Sequence, residues 1–274
     1  MVHLLKCKKV LLQGIIFQNS PAWNIHPELC EDLIMDGVDV RNPSYAQNGD
    51  GLDLESCKNC LIVNTTFDVG DDGICLKSGK DEAGRKRGVA TENVIIDGCT
   101  VYASHGGFVI GSEFSGGMEK IIVKDCVFDG TDIGLRFKSA PGRGGWCEDI
   151  LCQDIVMKDI REQAILFEAG YADRAVGRSA TDSDNKEAYF PDWANFTFRN
   201  LTSVNAKAVL YANGMKGFPV HDIKFENCNF YGARAGIELD YAENFTFTNC
   251  SITPAMTNSV HHAKNILFNG TPLE

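Results

Sequence analysis

The sequence predicts an all-β protein, a right-handed single-stranded parallel β-helix of about nine to ten coils. One observation behind this is an internal repeat: a strand of alternating apolar residues runs into a small or amide residue and then into two further alternating positions. The second is the residue at the bend. The fifth position of each copy is Gly14, Gly37, Asn64, Gly98, Asp125, Asp154, Asn200, Asn227 and Asn249, all types that tolerate positive φ. The third is a composition of 27 glycines against 8 prolines in 274 residues, which suits many tight turns between short strands.

Successive bend residues stand 23, 27, 34, 27, 29, 46, 27 and 22 residues apart, the length of one β-helix coil, with loop insertions in the longer gaps. The clearest copies are Val10–Phe17, Val94–Val101, Ile121–Phe128 and Ile223–Phe230. Leucine-rich or ankyrin repeats of similar period need an amphipathic helix in each unit, and no window between the strands keeps a 3.6-residue period. Helix should therefore be scarce. A second short strand follows each bend, as in Leu52-Asp53-Leu54, Ile74-Cys75-Leu76, Phe108-Val109-Ile110, Leu135-Arg136-Phe137, Ile165-Leu166-Phe167, Val209-Leu210-Tyr211 and Ile237-Glu238-Leu239. The outer apolar residues of each should point inward and the middle residue outward. The first copy begins almost at Met1 and the last, Ile266-Leu267-Phe268, breaks off near the C-terminus. Residues 1–274 are thus expected to form one β-helix domain without a cap over its N-terminal end.

Hydrophobic residues at 44% and charged residues at 23% exclude a disordered chain, a coiled coil and a collagen-like fibre. No window approaches the roughly 18 consecutive apolar residues of a membrane span, and the first residues lack the charged-then-apolar pattern of a secretory leader. A formal charge of −11 opposes non-specific attachment to nucleic acid or to an anionic membrane. The 11 cysteines are odd in number, so a complete disulfide framework is impossible and the redox compartment stays open.

Aligning the second strands by their inward residues puts chemistry in columns, because parallel neighbours in register lie about 4.8 Å apart. Asp50 precedes Leu52, and Asp72 precedes Ile74, by two residues, so the two carboxylates stack on adjacent coils. Asp71 shares the preceding column with His105. Arg136 occupies the outward column of Asp53, and Lys138 shares the next with Glu55, Lys77 and Glu168. A lone aspartate before a strand is an ordinary turn residue and a lone histidine an ordinary surface one. Clustered, the three aspartates repel one another, from which a purely structural protein gains nothing, whereas acid and base catalysis needs carboxyl groups with separated pKa values. Arg136 and Lys138 fit solvated strand positions as well as they fit anion binding. Residues 77–87 hold Lys77, Lys80, Arg85, Lys86 and Arg87 against Asp81 and Glu82 in an otherwise acidic chain. Such a basic wall beside carboxylates suits a polyanionic substrate, an acidic polysaccharide.

Asn48-Gly49-Asp50, Gly70-Asp71-Asp72-Gly73, Ser104-His105-Gly106-Gly107 and Arg136-Phe137-Lys138 resemble the four ordered motifs of the polygalacturonase family, glycoside hydrolase family 28. The resemblance spans nearly the whole chain. Gly51-Leu52-Asp53-Leu54-Glu55-Ser56 and Gly106-Gly107-Phe108-Val109-Ile110-Gly111-Ser112-Glu113 look most like bacterial members, several of them exo-acting. It implies the pectin-lyase-like solenoid, cleavage of α-1,4-galacturonosyl linkages of polygalacturonate with inversion, no cofactor or metal, and a secreted or periplasmic full-length form. Carried over by motif, Asp71 is the general acid, Asp50 and Asp72 activate the water, His105 supports the acid or the substrate, and Asn48, Lys77, Arg136 and Lys138 contact substrate. The neighbouring carboxylates are expected to keep Asp71 protonated at mildly acidic pH. Gly49 replaces the usual Thr and Phe137 the usual Ile, and the resemblance implies N-terminal structure ahead of the first repeat, which these residues are expected to lack.

Two other functions fit the same fold. A uronan lyase would eliminate across the linkage with a Ca²⁺ site and a Lys or Arg base, and an inactive β-helix would only bind carbohydrate. The paired aspartates with a nearby histidine are better suited to protonating a leaving oxygen, and every expected catalytic residue type is present. Weaker signals read as structural. Cys57-Lys58-Asn59-Cys60 has zinc-like spacing without a second pair; Cys99, Cys126, Cys228 and Cys250 follow the bend as inward small residues; and the sequons at Asn64, Asn195 and Asn244 lie on or beside repeat strands.

Overall fold

In a computed structural model, which describes residues 1–171 and 189–273, the chain winds into three parallel sheets of ten, eleven and nine strands. Strands pair parallel coil to coil; among the described residues the antiparallel exceptions are the pair that joins Leu267 to Pro272 at the last turn and an isolated bridge between Met215 and Phe218. All nine bend residues take positive φ, from 51° at Asn64 to 64° at Gly98. The bend therefore splits each repeat: Lys8–Gln13 belongs to the eleven-stranded sheet, while Ile16–Gln18 beyond Gly14 belongs to the nine-stranded one.

A second positive-φ column stands inside the eleven-stranded sheet at Asp32, Asn59, Asn93, Lys120, Asp149, Asn195, Asp222, Asn244 and Asn265. Side-chain amides link its members between coils, as Asn244 Nδ2 to Asp222 Oδ1 at 2.9 Å and Asn265 Nδ2 to Asn244 Oδ1 at 2.9 Å. Asn64 likewise donates to Asp36 Oδ1 at 3.2 Å. The sequon asparagines thus form the ladders that bend the chain.

Inward columns build one continuous core. Met35, Ile62, Ile96, Val123, Cys152, Phe198, Phe225 and Phe247 stand in register through the eleven-stranded sheet, and all are buried. Non-aromatic side chains fill the first coils and aromatics the later ones, where Phe225 stacks on Phe247 at 4.3 Å and 4°. Cys57, Cys60, Cys99, Cys126, Cys228 and Cys250 are buried free thiols within this core.

Helix is confined, among the described residues, to Asp81–Arg87. The basic wall at residues 77–87 thus includes a short helix. Its acidic first turn and basic last turn match the helix dipole, and Gly88 closes it in the left-handed region at φ 58°.

Candidate active site

The ten-stranded sheet carries the predicted constellation on its outer face. Ile74 pairs with Leu52 and Asp72 with Gly106, while Val109 pairs with Arg136 and Gly111 with Lys138. That is the register the columns required, except in Val209-Leu210-Tyr211, where Leu210 pairs with the inward Ile165 and Ile237 and Tyr211 takes the outward place. Gly73 and Gly107 are small because the strand presses onto the core just behind Asp72: a Cβ would stand 2.4 Å from Val101 Cγ1 at the first and 2.5 Å from the Phe128 ring at the second.

Asp72 is the electrostatic centre. It is 1% exposed, with Oδ1 3.2 Å from Arg136 Nη1 and Oδ2 2.7 Å from Lys138 Nζ. Burial alone would raise its pKa, but the charges of Lys138 and Arg136 outweigh burial and hold it down at about 2. Asp50, also buried, has the opposite outcome. Desolvation, then the negative charges of Asp53 and Asp72, push its pKa well up, and its Oδ1 has no hydrogen-bond partner among the described residues. Two stacked aspartates therefore hold protons very differently.

Asp71, one residue back, faces the other way. Its Oδ2 accepts from the backbone N–H of Asn48 at 3.2 Å, and its Oδ1 lies 3.1 Å from His105 Nδ1. Asn48 sits in the left-handed region at φ 52°, which turns that N–H toward the carboxylate. The hydrogen bond to Asp71, opposed by partial burial and helped by the charge of Asp71, raises the His105 pKa above its ordinary value. The ring is half open to solvent, and its Nε2 lies 3.9 Å from Asp132.

Lys77 lies beneath the site. It is 5% exposed, its Nζ donates to Glu113 Oε2 at 3.0 Å and to the Gly111 carbonyl at 3.2 Å, and Asp53 is 3.5 Å away. The Trp23 ring covers it at 4.9 Å. Arg143 reaches the same Glu113 at 3.2 Å. The charges of Lys77 and Arg143 overcome burial and hold the Glu113 carboxyl far below its usual range. Asp53, fully buried, is pushed up to about 7 by desolvation despite the charge of Lys77. Glu113, Arg143 and the covering aromatics Trp23 and Tyr171 were not legible as site residues, because loops far apart in sequence bring them in. Tyr171 lies 5.0 Å from Lys138 Nζ and 5.7 Å from the Arg136 guanidinium.

The basic wall is largely taken up within the protein. Arg85 donates to the carbonyls of Gly142 and Arg143 and lies over Tyr189 at 3.8 Å. Arg87 bridges Glu28 and Glu55, and Lys86 pairs with Glu82 at 2.6 Å.

Two donor sets among the described residues have metal-like spacing, Asp50, Asp72 and Cys75, and His3, His26 and Glu28, each within 4.8 Å. In the first, both oxygens of Asp72 already face cations. In the second, Glu28 is held by Arg87. Cation pairing is the chemistry Asp72 and Glu28 display.

A parallel β-helix bearing unequal carboxylates, a histidine and two cations on one outer face defines a carbohydrate-active class of protein. The sequence profile of Glycosyl hydrolases family 28 matches residues 1–263, and the chain belongs to this family. It is 26% identical to a probable polygalacturonase of Vitis vinifera across 93% of this chain and 52% of that protein. It is 28% identical to the exo-poly-alpha-D-galacturonosidase of Dickeya chrysanthemi across 80% of this chain and 37% of that one. The chain thus spans about half or less of the length of these relatives. Among solved structures, a hyperthermoactive exopolygalacturonase from Thermotoga maritima superposes with a TM-score of 0.83 at 31% identity, covering 93% of this chain and 55% of that one. The polygalacturonase of Erwinia carotovora superposes at 0.73 over 89% and 58% with 24% identity, a likeness of fold.

Proposed function

We propose that the chain hydrolyses α-1,4-galacturonosyl linkages of polygalacturonate with inversion, outside the cytoplasm, in a secreted or periplasmic form. The observation that carries this is the contrast on one face between Asp72, kept ionised by two cations, and Asp50, whose buried oxygen is unpartnered. In this reading Asp71 protonates the glycosidic oxygen, Asp50 takes the proton of the attacking water, and Asp72 holds that water as a fixed anion. Asn48 aims Asp71 through its backbone N–H, and Lys77 acts from below by balancing Asp53 and Glu113. Family membership and the names of the relatives support hydrolysis over elimination. Incubation with polygalacturonate tests it: saturated monomers or oligomers are expected, and products absorbing in the ultraviolet would mean a lyase.

Arg136 and Lys138 serve both Asp72 and the substrate carboxylate. Arg136 keeps a buried Nε–H that has no partner among the described residues. Arg136→Ala or Lys138→Ala should lower kcat/KM by a charge-assisted contact, about 1.5–3 kcal/mol. Each variant should fold, since the other cation still faces Asp72. Unchanged kinetics in both variants would remove these residues from the site.

His105 supplies a pH dependence. Its raised pKa keeps the ring protonated above the ordinary histidine value of about 6.5, so its support of Asp71 is present at acid pH and lost as pH rises through the raised value. The rate lost in His105→Ala should therefore be greatest at acid pH and shrink as pH rises past the raised histidine value. A loss of equal size at every pH would assign the dependence to another group.

A further inference from the structure

The columns that form the site continue along the groove with different chemistry. Below Asp72 run Gly106, Ile133, Gln163, Ala208 and Ala235; below Arg136 run Leu166, Tyr211 and Glu238; below Lys138 run Glu168, Asn213 and Asp240. A depression opens there, lined by Gln163, Ala208, Tyr211, Ala235, Glu238 and Ser259, with Glu238 three strands beyond Arg136, roughly 14 Å at the strand spacing.

Charge changes sign along this path. Glu168 stands beside Lys138 in register, but that ammonium is turned to Asp72. Asp240 meets His262 at 2.8 Å. Among the described residues no cation lies within ion-pairing distance of Glu168 or Glu238 and none lines the depression. The nearby Arg161 and Lys207 are engaged with Asp132 and Glu162 at 3.1 and 2.6 Å, and Arg234 lies one residue before the strand and outside the lining. A free uronate would meet like charges here, whereas small apolar side chains, a tyrosine ring and an amide suit an uncharged pyranose bearing a methyl group.

Resting on the proposed hydrolase reading, we propose that this half of the groove is a subsite for galacturonate carrying its carboxyl as the methyl ester, so that the preferred substrate is a partly esterified chain with a free uronate only at Arg136 and Lys138.

Calorimetric binding of de-esterified and of partly methyl-esterified oligogalacturonates tests this, with Asp71→Asn as the background so that turnover does not intervene. The esterified oligomer should bind several-fold more tightly. Glu238→Lys should narrow the gap by strengthening the de-esterified ligand alone, by up to about fivefold for one exposed charge. Tyr211→Ala should weaken the esterified ligand. Equal or reversed affinities, binding of neither ligand, or a gap untouched by Glu238→Lys would overturn the subsite. The parent chain is assayed for hydrolysis of both ligands in parallel. Failure to cleave either would remove the hydrolase reading while leaving the binding preference readable.

Discussion

Asp71→Asn is expected to lose about 10²–10⁴-fold of the activity on polygalacturonate, the contribution of general acid catalysis. It should keep much more on an aryl galacturonide whose leaving group needs no proton. The physical basis is position. Asp71 alone of the three aspartates looks outward, held by the Asn48 N–H at 3.2 Å and flanked by His105 at 3.1 Å, while Asp50 and Asp72 are buried behind it. An amide keeps the shape of the side chain and loses the proton. Equal losses on the two substrates would place the acid elsewhere.

The second large effect is on stability. Asp72→Asn removes the one charge that faces both Arg136 and Lys138 and leaves two cations buried. Breaking a buried pair in this way costs about 3–5 kcal/mol, to be read by chemical denaturation at neutral pH. The effect has a pH signature. Because the folded pKa of Asp72 is lowered from 3.8 to about 2, its contribution is present above the unfolded value and lost as pH falls through the folded one. The gap between parent and variant should therefore narrow between about pH 4 and pH 2. A variant as stable as the parent at neutral pH would show that the cations have other partners, and Asp72 would lose its place as the fixed anion.

The coil is legible in the sequence because a bend that needs positive φ admits few residue types, and the sequence repeats them. Gly14 through Asn249 mark it for that reason. The register follows from inward pairs such as Leu52 and Ile74, and it put Asp50 beside Asp72, Asp71 beside His105, and Arg136 and Lys138 on the same face. What the columns conceal is depth. Lys77 belongs to the same outward column as Lys138, yet Trp23 covers it and Glu113 and the Gly111 carbonyl accept its hydrogen bonds, because loops rather than strands decide what lies over an outward residue. The basic run at residues 77–87 is concealed in the same way: its charges read as a wall, but Glu28, Glu55 and two carbonyls meet them in space. The second positive-φ column was present as recurring Asp and Asn five residues before the bend, with Lys120 in one coil, obscured by the apolar alternation around it.

The measurement that bears most directly on the whole account is the configuration of the first product of polygalacturonate cleavage, followed by proton NMR before mutarotation. An acid at Asp71 and a water held at Asp50 and Asp72, on opposite faces of the sugar, require a saturated product whose new reducing end is β from an α linkage. An α product would mean retention through a covalent intermediate, an unsaturated product would mean elimination, and either would contradict the roles given to these three carboxylates.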